Sequence, residues 1–429
     1  MNSKEIGVGL LGCGVVGSQV ARVLMEDAKE LSTRAGANLR LRKIAVKSAG
    51  ARQNLDASLF TTNPDEVVGA ADIDVVIELM GGIEPARTLI LKAIENGKSV
   101  VTANKTLLAK HGADLAAAAE KAGVDLYYEA AVAGAIPIIR PMRESLVGDH
   151  ITRVMGIVNG TTNFILTKMD EEGRDFPSVL AEAQKLGYAE SDPTADIEGN
   201  DAAAKAAILA SLAFHSRVTV DDVFCEGISN ISSADVALAK EMNSTIKLLA
   251  IAELTPKNQI SVRVHPAMIS RSHPLASVRD AFNAVFVEAQ SAGQLMFYGR
   301  GAGGNPTASA VLGDVVAVSR HIAGESRGPR ESDYADREIA PITEVRTQFL
   351  IRLNVADRPG VLAGIANTFA AHSVSIQTVR QEGRGSEAEL VIVSHTASEA
   401  DLEATVKALD ALDIVKSVES VIRVEGGAQ

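Results

Sequence analysis

Apolar residues gather first at positions 6–11, a run of strand length, and then, past a glycine-rich turn, at helical spacing over 18–31. Strand-length apolar runs return at 41–46, 75–79, 99–102 and 125–128, with helical stretches such as 85–96 between them. Strands alternating with helices predict a parallel, doubly wound α/β sheet. The rhythm then changes. From 135 to 305, strand-like runs such as 152–158 and 259–264 alternate irregularly with long alanine-rich helices, the pattern of an α+β domain. Residues 307–322 read as one further helix, expected to pack back on the first domain.

Positions 321–347 are polar and rich in Arg, Glu, Ser, Gly and Pro, the composition of a linker. Beyond them lie strand 349–355, helix 361–371, strands 374–381 and 388–395, helix 398–411 and strand 415–423. That order is βαββαβ, a split βαβ or ferredoxin-like unit. The expected division is 1–134 plus 306–325 for the first domain, 135–305 for the second, 326–347 for the linker and 348–425 for the last.

Composition narrows the class. In 429 residues, 46% are hydrophobic and 22% charged, enough to bury a core throughout. The net charge of -12 speaks against a nucleic-acid partner, since nothing neutralises phosphates in bulk. The two cysteines, Cys13 and Cys225, are far apart and lack metal-ligand spacing. No run approaches eighteen apolar residues, and the N-terminal stretch lacks the features of a signal peptide. A soluble, cytoplasmic protein without membrane contact is expected.

The turn after the first run reads GCGVVG and sets Gly12, Gly14 and Gly17 between a strand and a helix. Glycines so placed serve a tight turn, close approach to a pyrophosphate and helix–strand contact. The helix N-terminus then holds the anion. With further βα units behind it, the loop predicts a dinucleotide site of Rossmann type, with Gly12, Gly14, Val15, Val16 and Gly17 against the cofactor. An NAD site usually offers an acid at the end of the second strand. Here that strand ends Val46-Lys47-Ser48 and Arg52 follows, which favours a 2′-phosphate and NADP(H) over NAD(H). Two solvated surface cations are the competing reading. VTANK delivers Asn104 and Lys105 to the carboxyl edge of the sheet, where Met80–Gly82 also ends a strand. Lys105 is a candidate for substrate or nicotinamide contact there, or a plain lysine at a helix start.

The stretch from Gly187 to Leu209 has an uneven charge layout. Glu190, Asp192, Asp196, Glu198 and Asp201 precede a single Lys205 in a helix otherwise built of Ala, Ile and Leu. Asn200 or Asp201 is the expected N-cap, with helix over 202–211. Asp201 and Lys205, four apart, share a face. An all-apolar helix is usually buried, and a buried ammonium is costly unless paired. By spacing alone an ordinary surface pair remains open.

The wider pattern shifts the balance. DPTADIEGNDAAAK has the spacing D-P-x-x-D-apolar-x-G-x-D-x-x-x-K, and it resembles the signature of homoserine dehydrogenases. GCGVVG, TANK, NGTTN (159–163), GYAE and GRGAGGNPTASAV extend the resemblance over residues 1–325. It implies interconversion of L-homoserine and L-aspartate 4-semialdehyde with NAD(P), on the branch toward threonine, isoleucine and methionine. Lys205 would be the general acid/base, and Glu190 would bind the substrate amino group. Asp196 and Asp201 would support the polar pocket, Lys105 would lie beside substrate and nicotinamide, and Gly303 would line the cofactor site. The resemblance also implies a sodium ion on main-chain oxygens of Glu129, Val132, Gly134 and Ile136, and a homodimer or homotetramer.

VADRPGVLAGIANTFAAHSVSI, in the last domain, resembles an ACT domain, a module that binds amino acids and regulates biosynthetic enzymes. Threonine, an end product, is the expected effector, near Asn354, Asp357, Gly360 and Leu362; a purely structural dimerisation module is the alternative. Two other functions compete. Aspartate-semialdehyde dehydrogenase needs a nucleophilic cysteine, and neither Cys13 nor Cys225 is well placed in the sequence. A non-catalytic sensor of cofactor and amino acid would leave the carboxylate–lysine stretch unexplained.

Overall fold

The computed structural model describes residues 4–48, 55–330, 335–383 and 387–426. The chain runs β1 (Glu5–Leu11), α1 (Val15–Glu26), α2 (Ala28–Ala35), β2 (Asn38–Ala45), β3 (Phe60–Thr61), α3 (Asp65–Val68), β4 (Val75–Glu78) and α4 (Ala86–Glu95). Next come β5 (Ser99–Thr102), α5 (Lys105–Ala122), β6 (Leu126–Tyr127), β7 (Ile151–Ile157), α6 (Gly160–Glu172), α7 (Phe176–Lys185), α8 (Thr194–Ile197) and α9 (Asn200–Phe214). Then follow β8 (Phe224–Cys225), α10 (Ser233–Glu241), β9 (Ser244–Leu254), β10 (Ile260–Ser270), β11 (Phe282–Ala289), β12 (Gly293–Arg300) and α11 (Gly304–Ala323). The chain closes with β13 (Arg346–Ala356), α12 (Val361–Ala371), β14 (Ile376–Gly383), β15 (Glu387–Ser394), β16 (Ala397–Ser398), α13 (Glu399–Asp410) and β17 (Val415–Glu425).

Two compact units form. One comprises Met1–Val154, Ala204–Val223 and Phe282–Asp336, the other Met155–Ala203, Phe224–Ala281 and Arg337–Gln429. The first holds a six-stranded parallel sheet in the order β3-β2-β1-β4-β5-β6. Strands β4 and β5 are buried along their whole length and β1 from its second residue, as a sheet covered on both faces requires. Helix α11 packs on this sheet's helices: Ala308, Val311, Val315 and Val318 join Val20, Leu24, Leu10 and Ile77 in one core. The late helix therefore does pack back on the N-terminal domain. The helix expected over 18–31 breaks at Asp27 into α1 and α2. Aspartate competes for backbone hydrogen bonds and favours such a boundary.

In the second unit β9 and β10 form a long antiparallel pair, from Ser244↔Ser270 to Leu254↔Ile260. Strand β9 escapes the sequence pattern because its run is apolar on both faces and buried almost throughout, so neither helical nor alternating periodicity marks it. The C-terminal module follows the expected βαββαβ order around its own core, which includes Ile351, Leu353, Ile365, Phe369, Leu390 and Leu402. Its last strand does more than close the module. β17 pairs antiparallel with β13 and, on its other side, parallel with β10 through Ala267↔Arg423 to Ile269↔Glu425. Part of the polar stretch before the module is also tied down: Ile260 N donates to Glu338 O at 2.9 Å and Ala340 N to Ile260 O at 2.8 Å.

Candidate active site

The first unit's sheet order reverses between β1 and β4, the place where open α/β sheets bind ligands. The glycine loop sits there. Gly12 adopts φ 92°, and a Cβ at this position would stand 2.7 Å from Leu79 O. At Gly17 a Cβ would lie 2.3 Å from Gly12 O. Gly14, the N-cap of α1, has no neighbour within 4 Å of a Cβ position, so this side of the loop is open. The start of α11 converges on the same point: Gly303 caps it at φ 123°, and a Cβ on Gly304 would meet Val15 Cγ1 at 3.1 Å. Two helix N-termini thus meet at the loop, both of which favour an anion. Val15 is 75% exposed and Val16 packs on the core. Lys47 is exposed two residues past β2, whereas Arg52 lies outside the described residues.

A buried carboxylate organises the neighbouring strand ends. Glu78 Oε1 accepts from Met80 N at 2.7 Å and Gly81 N at 3.2 Å, while Oε2 accepts from Thr102 Oγ1 at 2.7 Å. Asn104 caps α5 through Leu107 N and donates from Nδ2 to Gly82 O at 2.6 Å. Lys105 is therefore fixed as the first residue of α5 beside the Met80–Gly82 turn. Glu78 and Thr102 were not legible as site-shaping residues, since a charged residue ending an apolar strand looks like a surface position.

The loop after β6 carries the candidate cation ligands. Ala133 and Gly134 both lie in the left-handed region, at φ 54° and 56°, and a Cβ on Gly134 would stand 2.4 Å from Gly301 O. The Glu129 carboxylate is buried and accepts from Ile138 N, Ile139 N and Arg140 N at 2.6, 2.8 and 2.9 Å, and from Arg140 Nε at 3.2 Å. Glu129 N donates to Asp314 Oδ2 at 2.8 Å; burial, reinforced by the Glu129 charge, pushes the Asp314 carboxyl up to about 7. Val132 and Ile136 are buried. Among the described residues no group of three or more His, Cys, Asp or Glu side chains gathers as a metal site.

The second unit brings two predicted carboxylates together through a residue that the spacing did not single out. Asn159 Nδ2 donates to Asp196 Oδ1 at 2.7 Å and to Asp201 Oδ2 at 2.8 Å. Its own Oδ1 caps α6, accepting from Thr162 N at 2.9 Å. The signal that could have found it is NGTTN itself, an Asn at a helix start directly after a strand. Glu190 is exposed between α7 and α8, and its main-chain oxygen accepts from Gln184 Nε2 at 3.1 Å.

Helix α9 begins at Asn200, with Ala203 N bonded to Gly199 O, and continues to Phe214. The expectation of Asn200 or Asp201 as N-cap is corrected: both lie inside the helix, and the Asp201 carboxylate accepts from Asn159. Residues 202–210 are all buried, Lys205 with 8% exposure. This lysine is not a surface cation.

In the C-terminal module the Asp-Arg-Pro-Gly turn joins β13 to α12. Gly360 caps α12 at φ 94°, and Leu362 is 44% exposed. Asn354 Nδ2 donates to Glu387 Oε2 at 3.2 Å, and Asp357 Oδ1 accepts from Gln381 Nε2 at 3.5 Å.

With this geometry in place, comparison with known proteins becomes informative. The model of the homoserine dehydrogenase family matches residues 137–316, that of the homoserine dehydrogenase NAD-binding domain residues 12–129, and that of the ACT domain residues 349–413. The homoserine dehydrogenase of Mycobacterium tuberculosis is 54% identical over 435 residues, covering 99% of both chains. The chain belongs to the homoserine dehydrogenase family. A homoserine dehydrogenase from Thiobacillus denitrificans shares the structure with a TM-score of 0.94 and 44% identity over 98% of each chain. A hyperthermophilic archaeal homoserine dehydrogenase in complex with NADPH matches 73% of this chain and 98% of its own, with a TM-score of 0.63 and 28% identity.

The enzyme is therefore an oxidoreductase with an N-terminal Rossmann-type domain, a mixed-sheet domain and a C-terminal ACT domain. The sensor reading falls with this. The aspartate-semialdehyde dehydrogenase reading fails on chemistry as well: burial, helped by Glu198 and Glu226, pushes the Cys225 thiol up to about 11, and its Sγ donates to Glu198 O at 3.2 Å. A thiol so held is a poor nucleophile. Among the described residues no helix is long and apolar enough to cross a membrane.

Proposed function

We propose that the enzyme interconverts L-homoserine and L-aspartate 4-semialdehyde with a preference for NADP(H), and that threonine inhibits it through the ACT domain. The observation carrying the catalytic part is Lys205, buried on α9 one turn after an Asp201 that shares the amide of Asn159 with Asp196. When bound, the nicotinamide supplies or accepts the hydride. Lys205 donates a proton to the aldehyde oxygen in reduction and removes it from the homoserine hydroxyl in oxidation. Glu190 takes the substrate ammonium group, while Asp196 and Asp201 keep the polar pocket in shape. Lys105 stands at the sheet's carboxyl edge toward substrate and nicotinamide.

Gly12, Gly14, Val15, Val16, Gly17 and Gly303 hold the pyrophosphate side of the cofactor, and Lys47 with Arg52 the 2′-phosphate; the exposed Lys47 and the absence of an acid at Val46–Ser48 support this. A sodium ion would be held at the loop around Ala133 and Gly134, where two left-handed residues turn the chain sharply and the Glu129 side chain is already committed to backbone amides. Glu129, Val132, Gly134 and Ile136 would offer main-chain oxygens, suited to a hard monovalent cation. Asn354, Asp357, Gly360 and Leu362 would meet the effector at the turn before α12. The working domain limits are 1–134 with 306–325, 135–305 and 348–425, joined by 326–347, in a cytoplasmic homodimer or homotetramer.

Steady-state kinetics with NADP and NAD, with and without threonine, test the reading. Higher kcat/KM for NADP(H) and inhibition by millimolar threonine are expected; equal cofactor use or indifference to threonine removes the respective part. Lys205→Met, which keeps length and helix propensity, should lower kcat by about 10²–10⁴-fold at unchanged cofactor affinity. A kcat within about threefold of wild type would remove the acid/base role.

A further inference from the structure

The ACT domain's last strand carries an arginine that reaches past its own domain. Arg423 on β17 is buried, and its Nε and Nη2 fork onto Glu399 Oε1 and Oε2 at 2.8 and 3.0 Å. Glu399 opens α13 and is itself fully buried, with its N–H on Val345 O. The third arm of the guanidinium, Nη1, donates to Glu226 Oε2 at 2.5 Å. The planar head lies over two rings, 5.0 Å from the centre of Phe224 and 5.5 Å from that of Phe349. Phe349 belongs to the ACT sheet, whereas Phe224 and Glu226 belong to the substrate domain. Arg423 is thus a clamp with jaws in both, a role that a planar five-donor cation fills and a lysine does not.

The clamp's second jaw sits in a segment that packs on the loop after α8. Glu226 N is fixed on Val264 O at 2.8 Å, and residues 225–229 press against the loop that ends α8. Ile228 N donates to Ile197 O at 2.8 Å, Cys225 Sγ to Glu198 O at 3.2 Å and Ser229 Oγ to Glu198 Oε1 at 2.5 Å. The fit admits no slack: a Cβ on Gly227 would stand 2.3 Å from Ile197 O, and one on Gly199 2.9 Å from Cys225 Sγ. Directly before Ile197 comes Asp196, bonded to Asn159, and Gly199 N returns to Asp196 O at 3.0 Å. All these residues lie within one compact unit.

We infer that Arg423 is a positioning residue for the substrate loop, acting through Glu226 and the 225–229 segment to hold Asp196 in register. The inference rests on the reading of Asp196 as a substrate-pocket carboxylate. It gives the ACT domain a part in the basal reaction, before any effector binds. A change in the tilt of β17 would reach the substrate loop by the same route.

The test uses full-length enzyme without threonine. Glu226→Gln removes the charge on the substrate-domain jaw while leaving the Arg423–Glu399 fork and the ACT core in place. Mutations along such a coupling path shift energies enough to raise KM for homoserine about 2- to 30-fold, with KM for NADP within about twofold of wild type. Arg423→Lys should raise the same KM, and the double variant should be no worse than the more severe single one. A purely structural ion pair predicts otherwise: a lower thermal midpoint with KM for homoserine unchanged in Glu226→Gln, and that result overturns the inference. Asp196→Asn separates the two layers. If it raises KM for homoserine while Glu226→Gln does not, the positioning role fails and the site reading survives; if it leaves KM unchanged, the site reading fails and this inference with it.

Discussion

Asn159 shows how much one amide can decide. A single Nδ2 has two hydrogens, and both are spent on carboxylates that would otherwise repel each other. Its Oδ1 meanwhile caps α6. The two roles separate in one substitution. Serine caps a helix about as well as asparagine, so Asn159→Ser should leave the capping contribution within about 0.5 kcal/mol of wild type. It cannot reach both carboxylates, and hydrogen bonds to charged groups are worth about 1.5–3 kcal/mol, so the fold should lose roughly that much and, with the two carboxylates no longer held together, kcat/KM for homoserine should fall about 10- to 100-fold. A variant that is destabilised yet kinetically normal would show that Asn159 serves the fold and not the site. The positions of Asp196, Asp201 and Lys205 were legible because all three fall within ten residues, where helix and turn geometry tie spacing to proximity. Asn159 stands 37 and 42 residues from its two partners, and no local pattern encodes that meeting. Glu78 was hidden for the same reason, its partner Thr102 being 24 residues away.

Elements with one clean period were readable, and those buried on every side were not. The α12 helix, with turn chemistry at one end and a period of 3.6, falls on 361–371 as expected. β9 and the inner half of β10 are apolar on both faces, and their register comes from each other. β10 also conceals charge. Arg263, 1% exposed, donates to Glu253 at 2.7 Å and to Glu425 of β17 at 2.9 Å. Two residues on, His265 is fully buried; burial, then the charge of Arg423, holds its imidazole down at about 3, against a partial pull upward from Glu425. The sign of the linkage follows. A base whose folded value lies below its unfolded one contributes no penalty above about pH 6.5, and stability falls as acid protonates the unfolded chain first. By pH 5 this one group should remove about 2 kcal/mol. The drop in thermal midpoint between pH 7.5 and pH 5 should therefore be smaller in His265→Gln than in wild type. An equal drop in both would mean that His265 takes up its proton in the folded enzyme.

At the scale of the whole molecule, the sequence marked the ACT domain as a separable appendage, with a polar stretch before it and a complete βαββαβ order of its own. The pairing of β17 with β10 changes what a deletion would do. Cutting before β13 strips the Ala267–Ile269 part of β10 of its partner on one side and leaves that part as an open edge. It also leaves Arg263 without Glu425, and Asp235, buried on α10, without Arg352 Nε at 3.1 Å and Ser420 Oγ at 2.5 Å. Removing one partner of a buried pair costs about 3–5 kcal/mol, and two such losses approach the whole stability of a domain. A chain ending near Arg337 should therefore be insoluble or inactive even without threonine, and loss of activity on truncation says nothing about regulation. A point substitution in the turn before α12 addresses regulation directly. Leu362 is exposed and lies outside the module's core cluster, so Leu362→Asp should leave kcat and KM within about twofold of wild type, since surface changes away from buried features usually stay within about 0.5 kcal/mol. If the effector binds at that turn, the same variant should need at least about tenfold more threonine for half-inhibition, a loss of about 1.4 kcal/mol in binding. An unchanged threonine response in a well-folded Leu362→Asp enzyme would move the effector site elsewhere in the domain.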